Sequence, residues 1–200
     1  MENILSDVKI LRKPEFETVR YNTKLSFIPS ERNLVSVIRN IDQSYRSAES
    51  DVLFNYIFEW GEAKDSYTAE HPKRLSFTDN IEYINDGGND LVRLINENKM
   101  IPAYYASSGV QSAMPLDVMA DYFTGLVGKN ASVSKHDLAN TLARYLGKDK
   151  ELTNEMLKSI SNKMKYQSVQ LFIEEPEHNL YPDSQRNLTI NLVCALKQAM

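Results

Sequence analysis

Two adjacent acids near the carboxyl-terminal end of the chain have the residue type and the position for phosphoryl-transfer chemistry. Glu174 and Glu175 directly follow an apolar run, residues 168–173, and Pro176 comes next. The run predicts a strand buried on both faces of a parallel sheet. Ligands of α/β folds gather at the carboxyl ends of such strands, where two like charges need a cation or a phosphate between them. The pair could therefore hold magnesium and activate water, or it could be an acidic strand exit that faces solvent.

A second segment with chemical potential is Ser107-Ser108-Gly109, which follows a predicted extended stretch and precedes a predicted helix. We expect Ser108 to be the N-cap of this helix and Gln111 to be its capping-box partner. Small residues leave the first amides of the helix uncovered, and these amides together with the helix dipole can receive a phosphate. The alternative is a plain capped helix that binds nothing.

In this order along the chain, the two segments resemble the signature and Walker B motifs of ABC-type ATPases. The resemblance is to the branch of AAA family ATPases that includes the OLD-like and SMC-like proteins, in which the Walker B strand typically runs into Glu-Glu-Pro-Glu. Residues 174–185 here are Glu-Glu-Pro-Glu-His-Asn-Leu-Tyr-Pro-Asp-Ser-Gln. The chain departs from these relatives at Glu174, where many have Asp, at Asn179 and Tyr181, where His is frequent, and at Ser108, which replaces a glycine.

The resemblance implies a role for each matched residue. Glu174 would hold Mg²⁺ through the water shell of the ion, and Glu175 would be the catalytic base that orients the attacking water. The signature residues of one protomer would cap the γ-phosphate of ATP bound on a second copy, in a head-to-tail dimer. These nucleotide-binding residues are Ser107, Ser108, Gly109 and Gln111. The implied cofactors are ATP and Mg²⁺.

The chain lacks the phosphate-cradling Walker A loop, which needs Gly-x-x-x-x-Gly-Lys followed by Ser or Thr. Its nearest match, Gly128-Lys129, has Phe123 at the first glycine position and Asn130 after the lysine. We therefore expect the middle and later part of an ATPase, inactive alone and hydrolysing ATP once a Walker A-containing segment completes it. The alternative is a P-loop-less interaction module that docks a partner without ATP turnover.

The fold expected from the resemblance is α/β, a partial P-loop NTPase sheet like that of ABC ATPases, with a helical signature subdomain and a β-hairpin. A length of 200 residues and 42% apolar content suit one domain. We expect a single partial ATPase domain over residues 1–200. Its three parts are residues 1–105 with a strand, helices and the hairpin, residues 106–166 with the signature helix and helical subdomain, and residues 167–200 with the Walker B strand and the following helix.

Apolar periodicity and turn residues predict the individual elements. The Gly87-Gly88 pair predicts a hairpin, because both glycines accept positive φ. In the first half of the chain we expect a strand at 19–28, a helix opened by Pro29-Ser30 with an apolar stripe through Tyr45, a helix around Leu53, Ile57 and Trp60, and the hairpin 81–85 with 91–95. In the second half we expect a helix from Ser134 to Gly147 with Leu138, Leu142, Tyr145 and Leu146 on one face, and a helix at 152–164. A last helix, from Asp183, is expected to pack under the sheet through Leu188, Leu192, Ala195 and Ala199.

Two residues have open interpretations. Arg32 lies in Phe-Ile-Pro-Ser-Glu-Arg-Asn, which resembles a segment of the same ATPase branch. It is either a phosphate or interface contact or a solvated arginine in the first turn of a helix. Pro115 removes a backbone donor from the signature helix, so the helix either bends there or ends and restarts at Leu116.

Composition limits the cellular setting and the partners. A single cysteine, Cys194, makes no internal disulfide and favours the reducing cytoplasm. No signal peptide and no apolar run long enough to span a bilayer is present, so no membrane partner is expected. A net charge of −4 disfavours a broad electrostatic footprint for DNA, although a local basic stripe is compatible with it. The expected partners are a second copy and the missing Walker A segment, with nucleic acid or an effector protein as further candidates. His136 is expected to be exposed, and no His/Cys cluster has metal-binding spacing.

Overall fold

The computed structural model describes residues 23–39, 41, 51–127, 138, 142 and 166–198 of the 200-residue chain. These residues form a mixed α/β structure with a two-stranded parallel sheet and a four-stranded antiparallel sheet. The elements are β1 (Thr23–Ile28), a 3-10 turn (Ser30–Asn33), α1 (Leu34–Val37), α2 (Val52–Lys64), β2 (Lys73–Arg74), β3 (Ile81–Asp86), β4 (Asn89–Leu94), β5 (Lys99–Pro102), a second 3-10 turn (Ala103–Tyr105), α3 (Ser108–Gly125), β6 (Ser168–Ile173) and α4 (Pro182–Gln198).

The strand that precedes the two acids is parallel, as predicted. β6 pairs with β1 from Thr23 opposite Ser168 to Ile28 opposite Ile173. Burial on both faces was predicted and is wrong. Leu25 is 59% exposed and Phe172 is 49% exposed, and alternation along the paired strands places both on one side, which we call the outer face. The outer face is open because no other described element covers it.

The opposite side of the parallel pair carries a buried ion pair as well as apolar residues. Lys24 Nζ lies 2.7 Å from Glu59 Oε1, and both side chains are at least nine-tenths buried. The Ser26 hydroxyl donates to the other Glu59 oxygen at 2.5 Å. Glu59 belongs to α2, so these polar contacts fix the register of β1 against that helix. Removal of either charge would leave the other buried without this partner.

The predicted hairpin is confirmed and is the centre of a larger sheet in the order β2-β3-β4-β5. Its turn contains Gly87 at φ 56° and Gly88 at φ 91°, backbone conformations that glycine adopts without strain. The extended stretch predicted before the Ser-Ser-Gly segment contains β5, although its pairing with β4 was not predicted. Asn98, at φ 48°, closes the turn before β5, and an asparagine in that conformation is a weaker turn signal than a glycine.

The helix opened by Pro29-Ser30 is shorter than predicted. A 3-10 turn is followed by α1, which ends at Val37, and Ile38 is already extended at φ −97° and ψ 115°. Val37 and Ile38 are 44% and 46% exposed, so these two residues of the predicted apolar stripe do not lie on a buried face, and Tyr45 lies outside the described residues. Several residues of the stripe are β-branched, which weakens helix propensity. The following helix, α2, is confirmed, with Ile57 and Trp60 in the core.

Helix α3 runs in one piece from Ser108 to Gly125 with Pro115 inside it, so of the two alternatives for Pro115 the restart at Leu116 is wrong. Pro115 has no N–H to donate to the carbonyl of Gln111, one turn earlier. The hydroxyl of Ser36 donates to that carbonyl instead, at 2.9 Å. A side chain from α1 thereby replaces the missing helical hydrogen bond and lets the helix continue.

Helix α3 is also the centre of the packing, because α2 and α4 both contact it. Leu188 and Leu192 of α4 are buried, as predicted, but α4 packs mainly against α3 rather than under the strands. The predicted helices at 134–147 and 152–164 lie outside the described residues, as do His136 and Ala199; Leu138 and Leu142 alone are described there, and both have helical backbone. Within the described part of the chain, no helix is long and apolar enough to cross a membrane.

Candidate functional site

The segment that follows β6, residues 174–179, is called the acidic loop below. Its first residue continues the strand pairing, because the Glu174 amide donates to the Ile28 carbonyl at 3.0 Å. The backbone then turns at Glu175, which has a φ of 43°. This left-handed region is unfavourable for a glutamate, and such strained residues persist where the surrounding structure imposes them, frequently at functional sites. The strain therefore falls on the residue that the sequence predicts to be the catalytic base.

The two neighbouring carboxylates contact different groups. Glu174 Oε2 accepts a hydrogen bond from the amide of Ser30 at 3.3 Å. Glu175 Oε2 lies 3.2 Å from Nδ1 of His178. Both side chains are exposed. One carboxylate is therefore beside the start of a 3-10 turn and the other beside an imidazole, which gives them separate environments and allows separate roles, one toward a cation and one toward water.

The exposed carboxylate of Glu174 is compatible with contact to a hydrated magnesium ion. Among the described residues, no three His, Cys, Asp or Glu side chains form a group that could hold a metal ion. Magnesium keeps most of its waters and is commonly bound through one or two carboxylates together with substrate phosphates. Glu174 is an exposed carboxylate compatible with this kind of chemistry, and the described residues offer no all-protein cage.

Residues 107–109, called the Ser-Ser-Gly turn, begin α3 one residue earlier than predicted. Ser107, not Ser108, is the N-cap, and its hydroxyl accepts from the Val110 amide at 3.4 Å. Gln111 is not the capping-box partner of Ser108. Its side-chain amide donates to the carbonyl of Tyr104 at 3.0 Å and so ties the helix to the preceding 3-10 turn. Ser107 and Ser108 are exposed at the helix start.

The structure brings the Ser-Ser-Gly turn and the acidic loop together. A Cβ added to Gly109 would lie 2.9 Å from the Asn179 carbonyl oxygen, so only glycine permits this approach. Asn179 has a φ of 62°, and its side-chain amide donates to the Ser112 hydroxyl at 3.0 Å. Two segments that the sequence linked only by resemblance are therefore in direct contact.

A cleft of about 370 Å³ opens beside this contact. One wall is the Ser-Ser-Gly turn, another is formed by residues 179–181 with Ser184, and a third by Phe77, Thr78 and Ile81. Tyr181, at 84% exposed, stands at its edge. Neither Glu174 nor Glu175 lines the cleft. The exposed start of α3 therefore opens onto a space other than the one beside the acids.

Arg32 is neither solvated nor aimed at the surface, because its side chain is completely buried. Its Nε donates to the Ser112 carbonyl at 2.9 Å, and Nη1 and Nη2 donate to the carbonyls of Glu174 and Glu175, both at 2.7 Å. Burial lowers the pKa of the guanidinium, while Tyr56, Glu177 and Glu175 raise it. An arginine stays protonated despite such burial. Arg32 thus connects α3 to the acidic loop through backbone carbonyls.

Sequence reasoning missed several residues that hold the site together. The Gln185 side chain donates to the Leu180 carbonyl at 2.9 Å and so fastens the residue after the acidic loop to α4. Asn179 and Ser112 form the contact described above, and Ser36 completes the Gln111 carbonyl. Gln185 and Asn179 carried a signal, their places in the matched motif. The others act through the backbone or through packing, which spacing along the chain does not reveal.

A separate cleft of about 260 Å³ lies between α1 and the β3–β4 turn, where Arg39 contacts Asn89, and it contains none of the predicted site residues. Comparison of the chain with protein-family models, curated proteins and solved structures found no significant match to any of them. The function must therefore be inferred from the residues and their geometry.

Proposed function

We propose that this chain supplies the signature and Walker B parts of an ATP site of the ABC type, in a partial P-loop NTPase fold similar to that of OLD-like and SMC-like ATPases. A Walker A-containing segment would complete the site, and the chain alone is inactive. The observation that carries the proposal is the acidic loop. Glu175 is held in a left-handed conformation directly after a parallel strand, and the same loop packs on the Ser-Ser-Gly turn.

In this proposal the two acids divide the work. Glu175 orients and deprotonates the attacking water, and its carboxylate lies beside the His178 imidazole. Glu174 would hold Mg²⁺ through the water shell of the ion, and the bound ion would neutralise charge on the phosphates. Phosphoryl transfer demands mainly positioning and charge neutralisation from the protein. An exposed pair of carboxylates at a strand end suits that demand.

The arrangement of the Ser-Ser-Gly turn supports action in trans. Ser107 and Ser108 lie at a helix N-terminus, where amides and the helix dipole favour a phosphate. Glu174 and Glu175 do not line the cleft beside these serines. The turn therefore serves a nucleotide other than the one beside the acids of its own chain. In a head-to-tail dimer of the completed protein, the acids of one copy and the Ser-Ser-Gly turn of the other would face the same nucleotide. The proposed partners are a second copy and the Walker A-containing segment, in the cytoplasm.

The test uses the completed protein, meaning this chain joined to a Walker A-containing segment, for which a coding sequence immediately upstream with Gly-x-x-x-x-Gly-Lys is the first place to look. Glu175→Gln should slow ATP hydrolysis about a hundredfold or more while ATP binding is retained. The matched control is Glu177→Gln, which changes an exposed acid two positions along in the same loop. Equal turnover in the parent and in Glu175→Gln would remove Glu175 from the catalytic role.

The second candidate is an interaction module that docks a partner without ATP turnover. Leu25 and Phe172 favour it, because they expose apolar surface on the outer face. Calorimetric titration of Mg-ATP into the 200-residue chain and into the completed protein separates the candidates. Heat only with the completed protein supports the ATPase, and no heat with either supports the interaction module, to which nucleic acid or an effector protein would be the partner.

A further inference from the structure

Arg32 makes a set of contacts that the proposed chemistry does not yet use. Its guanidinium donates to three distant backbone carbonyls from two segments, Ser112 in α3 and the first two residues of the acidic loop. Its own carbonyl accepts from the Tyr56 hydroxyl at 2.8 Å, which fixes the backbone from which the side chain extends. An arginine with a planar fork and a fixed base is a rigid connector.

Two of the carbonyls that accept from Arg32, those of Glu174 and Glu175, lie on either side of the strained φ angle of Glu175. Glu175 has a φ of 43°, which a glutamate adopts only when its neighbours impose it. Nη1 and Nη2 fix the carbonyl before this φ and the carbonyl after it, each at 2.7 Å. Charge-assisted hydrogen bonds of this length are among the stronger ones in proteins. The fork therefore has the geometry to impose the conformation.

We propose that Arg32 is a positioning residue that holds Glu175 in its left-handed conformation and ties it to α3. The consequence for catalysis rests on the proposed function, whereas the positioning itself can be tested without nucleotide. Arg32 Nε also donates to the carbonyl of Ser112, which lies one helical turn after Gly109. The Arg32 side chain therefore links the helix that begins at the Ser-Ser-Gly turn to the backbone of Glu175, the proposed catalytic base.

A double-mutant cycle on the full 200-residue chain tests the positioning. Glu175→Gly should raise the thermal unfolding temperature by about 2 °C or more, because glycine accepts positive φ without strain. In an Arg32→Lys background, which keeps the charge but loses the fork, the loop can relax and this gain should disappear. Effects of the glycine on the unfolded chain are the same in both backgrounds and cancel.

Asn98→Gly is the matched control. Asn98 also has a positive φ, 48°, but it lies in the turn before β5. Its substitution should shift the unfolding temperature equally in the parent chain and in the Arg32→Lys background. If Glu175→Gly also gave equal shifts in both backgrounds, Arg32 would not be what holds Glu175, and the inference would be overturned.

A second measurement needs no substitution at Arg32 and remains available if Arg32→Lys does not fold. Because Nη1 and Nη2 donate to different carbonyls, rotation of the guanidinium should be hindered, and nitrogen-detected NMR should show separate Nη–H resonances for Arg32. The exposed Arg186 should give one averaged signal. An averaged signal for Arg32 would refute the fork.

In the completed protein, Arg32→Lys should lower kcat by about tenfold with little change in KM, because it displaces the base rather than the nucleotide. An unchanged kcat would refute the catalytic consequence. If the parent protein does not hydrolyse ATP, the proposed function fails, while the double-mutant cycle still decides whether Arg32 positions Glu175.

Discussion

Gly109 and Asn179 approach so closely that a Cβ at position 109 would lie 2.9 Å from the Asn179 carbonyl oxygen. The glycine is at the start of α3, and Asn179 ends the acidic loop at a φ of 62°. A Cβ does not come within 3.0 Å of a backbone oxygen, so one of the two segments would have to move to accept it. A glycine at this position is therefore needed for packing, independently of any phosphate that it contacts.

Gly109→Ala should lower the free energy of unfolding by about 1–3 kcal/mol, because the acidic loop or the first turn of α3 must shift. Urea denaturation of the 200-residue chain measures it. Gly125→Ala is the control, since Gly125 is at the other end of the same helix and its Cβ would meet nothing within 4 Å. That control should be neutral or stabilising by up to about 1 kcal/mol. Equal losses in the two variants would contradict the close approach.

Ser36→Ala should cost about 1–3 kcal/mol, because the Gln111 carbonyl loses its replacement for the donor that Pro115 lacks. In a Pro115→Ala background, the alanine N–H can donate to the same carbonyl, and the cost of Ser36→Ala should fall to a few tenths of a kcal/mol. Chemical denaturation of the four chains gives the coupling energy. Additive effects would mean that the serine and the proline are not linked in this way.

Asp117 should make stability depend on pH. It is buried in α3, and its carboxylate accepts from the Ser76 amide. Burial raises the pKa of Asp117 above the ordinary value of 3.8, and Asp121 raises it further, while Lys73 and the hydrogen bonds from Ser76 lower it. A raised pKa means that the folded chain binds this proton more tightly than the unfolded chain does.

The contribution of Asp117 to stability is therefore fully present when the pH is below the pKa of Asp117 in the unfolded chain. It is lost as the pH rises through the pKa of Asp117 in the folded chain. As the pH rises above 3.8 and through the pKa of Asp117 in the folded chain, the free energy of unfolding of the parent chain should fall relative to that of Asp117→Asn. Denaturant unfolding at a series of pH values measures this difference. A difference that grows in favour of the parent over the same range would show that the pKa is not raised.

Ser107→Arg should abolish ATP-dependent dimerisation of the completed protein, because a long side chain at the mouth of α3 blocks a phosphate presented by a second copy. Ser107→Ala is the control. It removes the same cap hydrogen bond, worth about 1 kcal/mol of helix stability, but leaves the cleft open. Sedimentation velocity with and without Mg-ATP distinguishes them. A Ser107→Arg profile identical to that of the parent would count against capping in trans.

The sequence by itself determined the parts of the structure that depend on short-range chemistry. An apolar run followed by acids predicted the parallel strand β6 and placed Glu174 and Glu175 at its end, and Gly87-Gly88 predicted the central hairpin. These features are local, because strand periodicity and turn conformation are decided within a few residues. The nucleotide chemistry assigned to the acids is still a proposal.

Only the tertiary structure decided what the buried polar groups do. Arg32 could be a phosphate contact or a solvated residue from sequence alone, yet it is buried against the carbonyls of Glu174 and Glu175, more than a hundred residues away along the chain. Two other contacts are equally non-local: the Ser36 hydroxyl donates to the Gln111 carbonyl, and Gly109 lies close to the Asn179 carbonyl. Such partners are set by how helices and strands pack, because a buried donor must find an acceptor wherever the fold provides one. No spacing within one segment encodes that choice.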